Sequence, residues 1–218
     1  MIITIDGPAG SGKSTAARTL AERLGFQFLD TGAMYRVVTL LCLRDEIDVH
    51  DEPAVSRRAA EITIRFDGSR VFADGEEVTD AIRTVQVTQG TSIIAVNATV
   101  RGLLSTLQRQ AAEGLDIVTE GRDQGTVVFP DAQCKFFLTA SPEERARRRQ
   151  FDLRRRGEYL SLEEILAHQL ERDHRDEQRA VAPLKPAADA ILIDTSRRTV
   201  HEVVEELEQF IRQRSAAN

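Results

Sequence analysis

Cysteine is scarce in this chain, and signals for export or membrane insertion are missing. The two cysteines, Cys42 and Cys134, lie in apolar surroundings and lack the spacing of metal ligands. Two buried thiols in a reducing compartment are favoured over a disulfide, so we expect a cytoplasmic protein. The first predicted strand begins almost at Met1, and no signal peptide is expected. No apolar run approaches the length of a membrane-spanning helix, and we expect no membrane association.

Positive charge is also in the minority. The 29 lysines and arginines are outnumbered by 35 acidic residues, and the formal net charge is −6. This balance argues against a nucleic-acid-binding protein. Lysine is rare, with only Lys13, Lys135 and Lys185 in the chain. The excess of arginine fits either a genomic codon bias or a site that binds several phosphates through planar guanidinium groups, and composition does not separate the two.

The run ITIDGPAGSGKST near the amino terminus matches the phosphate-binding pattern G-x-x-x-x-G-K-[ST]. A predicted strand, Ile2 to Asp6, leads into a loop whose glycines can aim backbone N–H groups at a phosphate, and a predicted helix follows. A glycine-rich turn that binds nothing is the alternative. We expect Lys13 to reach the β- and γ-phosphates of ATP and the Ser14 hydroxyl to hold Mg²⁺. The predicted ATP-phosphate site consists of Gly7, Pro8, Ala9, Gly10, Ser11, Gly12, Lys13, Ser14 and Thr15.

Strands and helices alternate along most of the chain, which predicts a parallel sheet with helices on both faces. Residues Ile62 to Val78 interrupt this order with two Asp-Gly pairs between short β-prone runs, a hairpin signal. The predicted fold class is therefore α/β, a P-loop NTPase-type parallel sheet with a small antiparallel β insert. We expect a single domain with a core at about 1–60 and 85–218, the insert at about 61–84 and an arginine-rich lid at about 145–160.

The predicted helix from Glu143 to Arg156 is dense in arginine. Its last dozen residues carry seven of them: Arg145, Arg147, Arg148, Arg149, Arg154, Arg155 and Arg156. One interpretation is a solvated face supported by acidic residues one turn away. Because such a cluster repels itself unless anions are near, we favour a phosphate-binding lid for one or two of these side chains.

Three further runs carry a specific resemblance. They are DTGAMYR at 30–36, EGRDQGTVVFPDA at 120–132 and ERDHRDEQRAVAPLKPAADA at 171–190. Together with the P-loop, the β insert and the chain length, they resemble the bacterial cytidylate kinases, which phosphorylate CMP and dCMP. The resemblance covers essentially the whole chain.

The resemblance implies contacts with the monophosphate of CMP. These fall on Arg36, Arg122 and Arg179, with Thr31 or Tyr35 nearby, and guanidinium groups suit a dianionic phosphate. Thr31 stands where a serine is also common, which preserves the hydroxyl. Apart from the resemblance, a solvated helix arginine is the alternative for Arg36.

The cytosine contacts of the family fall on Ser92, Arg101 and Asp123. Cytosine offers an N4 amino donor for a carboxylate and acceptors at O2 and N3 for arginine and serine. Uracil would set an oxygen against Asp123, which costs roughly 1–3 kcal/mol. The chain departs from the family at Gln124, where an apolar residue is usual, and nothing in the sequence explains it.

The ribose contacts of the family fall on Arg172 and Asp176. On the donor side Arg148 matches the family's lid arginine, and Arg175 is a candidate to join it. For each arginine of ERDHRDEQR, a surface ion pair with a neighbouring acid is the alternative.

The resemblance implies ATP-dependent phosphorylation of CMP and dCMP, with Mg²⁺ as cofactor, and we expect a monomer. The attacking phosphate oxygen is ionised at neutral pH, so no general base is needed and catalysis reduces to positioning and charge stabilisation. We assign this role to Lys13, Arg122, Arg148 and Arg179. The four histidines are scattered along the chain and none is assigned a catalytic role: His50, His168, His174 and His201.

Two alternatives remain at this point. One is a P-loop kinase for another small acceptor such as UMP, AMP or shikimate, although the β insert and the lack of a long lid insertion argue against adenylate kinase. The other is a non-catalytic nucleotide switch, which would lack a CMP site and gain no thermal stability from CMP.

Overall fold

The structure of the chain, a computed structural model, describes residues 1–155 and 157–216. These residues form two compact units. Unit 1 comprises Met1–Leu29 and the described part of 112–218, and unit 2 comprises Asp30–Ala111. Arg156, one of the seven clustered arginines, lies outside the described residues. None of the helices in the described ranges combines the length and the hydropathy of a membrane span.

The described strands and helices follow one another in the predicted α/β order. The strands are β1 Ile2–Asp6, β2 Gln27–Asp30, β3 Ile64–Asp67, β4 Arg70–Ala73, β5 Glu76–Glu77, β6 Ile117–Gly121, β7 Cys134–Thr139 and β8 Ile191–Asp194. The α-helices are α1 Lys13–Leu24, α2 Thr31–Arg44, α3 Glu52–Ala60, α4 Val85–Ile94, α5 Ala98–Ala112, α6 Pro142–Arg155, α7 Leu162–Gln178 and α8 Val200–Ala216.

Unit 1 is built on a five-stranded sheet in the order β2-β6-β1-β7-β8. The central strand β1 pairs in parallel with β6 and β7, and β7 pairs in parallel with β8. Every residue of β6 is buried, as expected for a strand covered on both faces. Because parallel strands end at one edge of the sheet, the segments after β1, β6 and β8 all leave from the same side.

The apolar core of unit 1 lies between this sheet and helices α1 and α8. Ile5 of β1, Leu20 of α1 and Leu207 of α8 are completely buried in it. Helix α7 begins with a capping box in which the Ser161 side chain accepts from the Glu164 N–H and the Glu164 side chain accepts from the Ser161 N–H.

Unit 2 contains a three-stranded antiparallel sheet in the order β3-β4-β5. The β4–β5 turn uses Asp74 and Gly75 with φ of 50° and 89°, the two positive values that a type I′ hairpin requires. Gly68, with φ of 58°, opens the β3–β4 turn. The predicted fold class, a parallel sheet with a small antiparallel β insert, is therefore confirmed.

Candidate active site

The glycines of the P-loop allow the chain to turn sharply between β1 and α1. A Cβ atom on Gly7 would lie 2.0 Å from the carbonyl oxygen of Leu138, so only glycine fits against β7. Gly12 occupies the N-cap of α1 in a left-handed conformation, with φ of 85°. The loop therefore ends at a helix N-terminus, which is the arrangement that binds anions.

Lys13 is the first residue of α1, and its side chain is buried. Its Nζ donates to the carbonyl oxygen of Pro8 at 3.2 Å and lies 3.7 Å from Glu120 Oε2. Burial, reinforced by the charge of Arg122, lowers the pKa of Lys13 to about 7, while Glu120 opposes this change. An anion bound in the loop would favour the charged ammonium.

Glu120 is a site residue that the sequence analysis missed. It lies near the end of the buried strand β6, and one carboxylate oxygen accepts from the Ser14 hydroxyl at 2.9 Å while the other faces Lys13. The available signal was an acidic residue at the carboxyl end of a buried strand. The Ser14 and Glu120 side chains offer hard oxygen ligands, so these two residues fit the Mg²⁺ that the P-loop implies.

Four predicted site residues of unit 1 form an electrostatic cluster around Asp176. Arg122 Nε donates to Asp176 Oδ2 at 3.0 Å, and Arg179 Nη1 lies 3.9 Å from Asp176 Oδ1. Burial alone would raise the pKa of Asp176, but the charges of Arg122, Arg172 and Arg179 outweigh it and lower the pKa. The cluster presents three guanidinium groups, a suitable environment for a phosphate dianion.

Asp123 and Gln124 lie at the start of one turn of π-helix, Gln124–Val128. The turn is held from β1, because Asp6 Oδ1 accepts from the Gln124 N–H at 2.9 Å and Asp6 Oδ2 accepts from the Gly125 N–H at 2.8 Å. Burial is the main cause that raises the pKa of Asp6 to about 6, against the two amide hydrogen bonds.

The structure explains the unusual residue at position 124. The Gln124 side chain is buried and accepts a hydrogen bond from the Thr119 hydroxyl at 3.0 Å. The Gln124 side chain is therefore a polar partner for a buried hydroxyl of β6. The turn between the two residues brings them together.

Arg148 lies beside the P-loop. Its Nη1 donates to Thr195 Oγ1 at 3.0 Å and its Nη2 donates to the Thr195 carbonyl at 2.6 Å, while Nε donates to Glu144. The Thr195 hydroxyl in turn lies 2.9 Å from the carbonyl oxygen of Ser11, to which it can donate. A Cβ on Gly12 would lie 3.4 Å from Arg148 Nη1. Thr195 was not predicted, since it follows β8 without a recognisable motif.

The remaining predicted acceptor residues belong to unit 2. Arg36 donates to the Thr88 hydroxyl at 2.8 Å and to the Ile82 carbonyl at 3.3 Å. Arg101 donates to the Ala95 carbonyl at 3.0 Å. Of the others, Thr31 is the buried first residue of α2, Ser92 donates to the Gln89 carbonyl, and the Tyr35 ring centroid lies 5.7 Å from Arg101 Cζ.

Comparison with known proteins gives the family. A family model described as cytidylate kinase matches residues 3–213. The chain belongs to the cytidylate kinase family. A cytidylate kinase of Rhodopirellula baltica is 49% identical over 221 residues, covering 100% of this chain and 96% of that protein. One of Mycobacterium leprae is 47% identical over 218 residues, covering 100% of this chain and 98% of the relative.

Solved structures agree with this cytidylate kinase assignment at the level of the fold. A shikimate kinase from Bacteroides thetaiotaomicron superposes with a TM-score of 0.52 and 13% identity, covering 97% of this chain and 98% of the other. At that identity the likeness extends to the fold alone. The fold is thus shared with a protein named for a different kinase activity.

Proposed function

We propose that the protein transfers the γ-phosphoryl group of ATP to the phosphate of CMP or dCMP, giving ADP and CDP or dCDP. The observation that carries this proposal is the cluster of Arg122, Arg172, Asp176 and Arg179 in the same unit as the P-loop, in a chain of the cytidylate kinase family. The charges of Arg122, Arg172 and Asp176 reach Lys13, so the donor and acceptor groups share one electrostatic environment.

On the donor side, the P-loop N–H groups and Lys13 bind the phosphates of ATP. Lys13 is neutral for part of the time near pH 7 in the free protein, and the bound phosphates hold it in the charged form. Ser14 and Glu120 would hold the Mg²⁺, which neutralises charge on the donor phosphates when it is bound. Arg148 approaches from α6 as a further positive charge.

On the acceptor side, Arg122 and Arg179 hold the phosphate of CMP, and Asp176 orients both guanidinium groups. An ionised oxygen of that phosphate attacks the γ-phosphorus, and the bond from the γ-phosphorus to the β–γ bridging oxygen breaks. No proton has to be removed from the attacking oxygen, which agrees with a predicted site to which no histidine is assigned.

For the base, the Asp123 carboxylate accepts a hydrogen bond from the N4 amino group of cytosine, and Asp123 is held in place by the π-turn and Asp6. Arg172 and Asp176 serve the ribose, and the roles of Thr31, Tyr35, Arg36, Ser92 and Arg101 remain those that the family resemblance implies. We propose further that the chain acts as a cytoplasmic monomer and one kinase domain, with the core, insert and lid as predicted.

The proposal is tested by measuring turnover of CMP, dCMP, UMP and AMP in parallel with ATP and Mg²⁺. We expect kcat/KM for CMP to exceed that for UMP by about tenfold or more, as the mismatched contact with Asp123 implies. Lys13→Ala should lower kcat by orders of magnitude while circular dichroism shows that the fold is largely preserved. A preference for AMP or UMP, or near-normal activity of Lys13→Ala, would overturn the assignment.

A further inference from the structure

Arg145, the first of the seven clustered arginines, occupies a different environment from a lid residue. Its side chain is 5% exposed and its guanidinium group has three oxygen partners. Nε donates to the Ala140 carbonyl at 3.0 Å, and Nη1 donates to the Ala9 carbonyl at 3.2 Å and to Asp173 Oδ2 at 2.5 Å. One buried cation thus links α6, α7 and the P-loop.

The P-loop is packed closely against the same two helices. A Cβ on Gly10, whose φ is 78°, would lie 3.0 Å from Gln169 Nε2 of α7 and 3.1 Å from Arg145 Cβ of α6. The loop therefore rests on the α6–α7 pair at Ala9 and Gly10, and shortening one of these side chains would remove part of its support.

The hydrogen bond to Ala9 fixes the direction of the following amide. In a planar trans peptide the C=O and the next N–H point in opposite directions. Because the Ala9 carbonyl is turned toward Arg145, the Gly10 N–H is turned away from it. Orientation of this N–H is what a phosphate-binding nest requires.

Asp173 places this anchor on the helix that carries the acceptor residues. It lies next to Arg172 in sequence and one helical turn before Asp176, which pairs with Arg122. The Arg145–Asp173 pair therefore connects the support of the donor loop with the helix that orients the acceptor groups.

We propose that Arg145 is a positioning residue for phosphoryl transfer, which holds the P-loop in its phosphate-binding conformation and is itself held by Asp173. It touches no substrate and acts through the Ala9 peptide. This inference rests on the proposed function for the identity of the acceptor, but its central claim concerns ATP binding.

The test compares Arg145→Lys with Arg23→Lys, which makes the same substitution in an interhelical pair with Glu208, 3.6 Å apart in unit 1. Lysine keeps the positive charge but lacks the planar guanidinium group that contacts all three oxygens in Arg145. We expect Arg145→Lys to raise the Kd for ATP about tenfold, measured by calorimetry, and to lower kcat, whereas Arg23→Lys stays within twofold. An unchanged Kd and kcat, accompanied only by a lower unfolding midpoint, would reduce Arg145 to a structural role and overturn the proposal.

Asp173→Asn provides the second arm. If Asp173 acts through Arg145, the two substitutions together should weaken ATP binding no more than the stronger single one, and additive effects would contradict that part of the proposal. Because removing one member of a buried pair destabilises a fold, Arg145→Met/Asp173→Leu serves as a better-packed variant without the anchor. It should fold and still bind ATP at least tenfold more weakly than wild type; wild-type affinity would refute the proposal.

ATP binding needs no CMP turnover, so the two proposals fail separately. A wild-type protein that binds ATP but does not phosphorylate CMP would contradict the proposed function alone. The Kd values of the Arg145 variants would still decide whether this residue positions the P-loop.

Discussion

The buried carboxylate of Asp6 makes a prediction about stability and pH. Asp6 ends β1, is 4% exposed and accepts two amide hydrogen bonds from the π-turn. Burial nevertheless raises the pKa of Asp6 from 3.8 to about 6, and the charge of Asp123 adds to the rise. Asp6→Asn keeps the shape of the side chain and removes this titration.

The sign and size of the effect follow from proton linkage. Between about pH 4 and pH 6 the folded wild type binds more protons at Asp6 than the unfolded chain does, so the free energy of unfolding falls as the pH rises through this range. A pKa difference of about two units corresponds to ~3 kcal/mol. Because the unfolded carboxyl is already about half ionised at pH 4, we expect the unfolding free energy of wild type minus that of Asp6→Asn to decrease by ~2 kcal/mol between pH 4 and pH 7.

Urea unfolding of both proteins at half-unit steps of pH measures this difference, because titrations common to the two proteins cancel. Glu143→Gln, an exposed carboxylate of α6, is the control for the loss of any surface charge. A difference that stays constant with pH would refute the role of burial. A difference that grows with pH would mean that the two amide hydrogen bonds outweigh the cost of desolvating the carboxylate.

Three further predictions concern the site. At pH 8, ATP binding should be accompanied by uptake of ~0.9 proton, because the bound phosphates raise the pKa of Lys13 from about 7 toward its ordinary value. Calorimetry in buffers of different ionisation enthalpy measures this uptake, and Lys13→Arg should show none. Equal heats for wild type in all buffers would contradict the prediction. Asp123→Asn should reduce the preference for CMP over UMP about tenfold, and an unchanged ratio of kcat/KM would exclude a contact with the base. Gly7→Ala should unfold more easily and lose ATP binding, because its Cβ would lie 2.0 Å from the Leu138 carbonyl oxygen. Gly102→Ala is the control, since no atom lies within 4 Å of the added Cβ, and its free energy of unfolding in urea should be unchanged or higher by about 1 kcal/mol.

The parts of this fold that could be predicted from the sequence are those determined by residues close together in the chain. A type I′ hairpin needs two positive φ angles, and Asp74-Gly75 is a common way to supply them, so the β insert was predictable from a few residues. The P-loop is similarly defined by its own glycines and lysine. The alternation of strands and helices was enough to predict the parallel sheet.

The parts that could not be predicted depend on tertiary contacts. Arg145 and Arg148 look equivalent in a run of arginines, yet one is buried against Asp173 and the other is bound to Thr195. Nothing in the periodicity of α6 shows which side chain α7 will cover. Glu120 likewise becomes a site residue only because β6 lies beside β1, which brings it to Ser14.

The junction of Asp6 and Gly7 has a consequence for the redesign of base specificity. In the proposed function two consecutive residues serve different substrates, since Asp6 accepts hydrogen bonds from the turn that follows Asp123 while Gly7 lies in the loop proposed to bind ATP. Changes to the backbone of residues 123–125 would therefore be transmitted through a single peptide bond to the nucleotide donor. Specificity for another base is better sought by exchanging side chains on an unaltered turn, with position 6 left as aspartate.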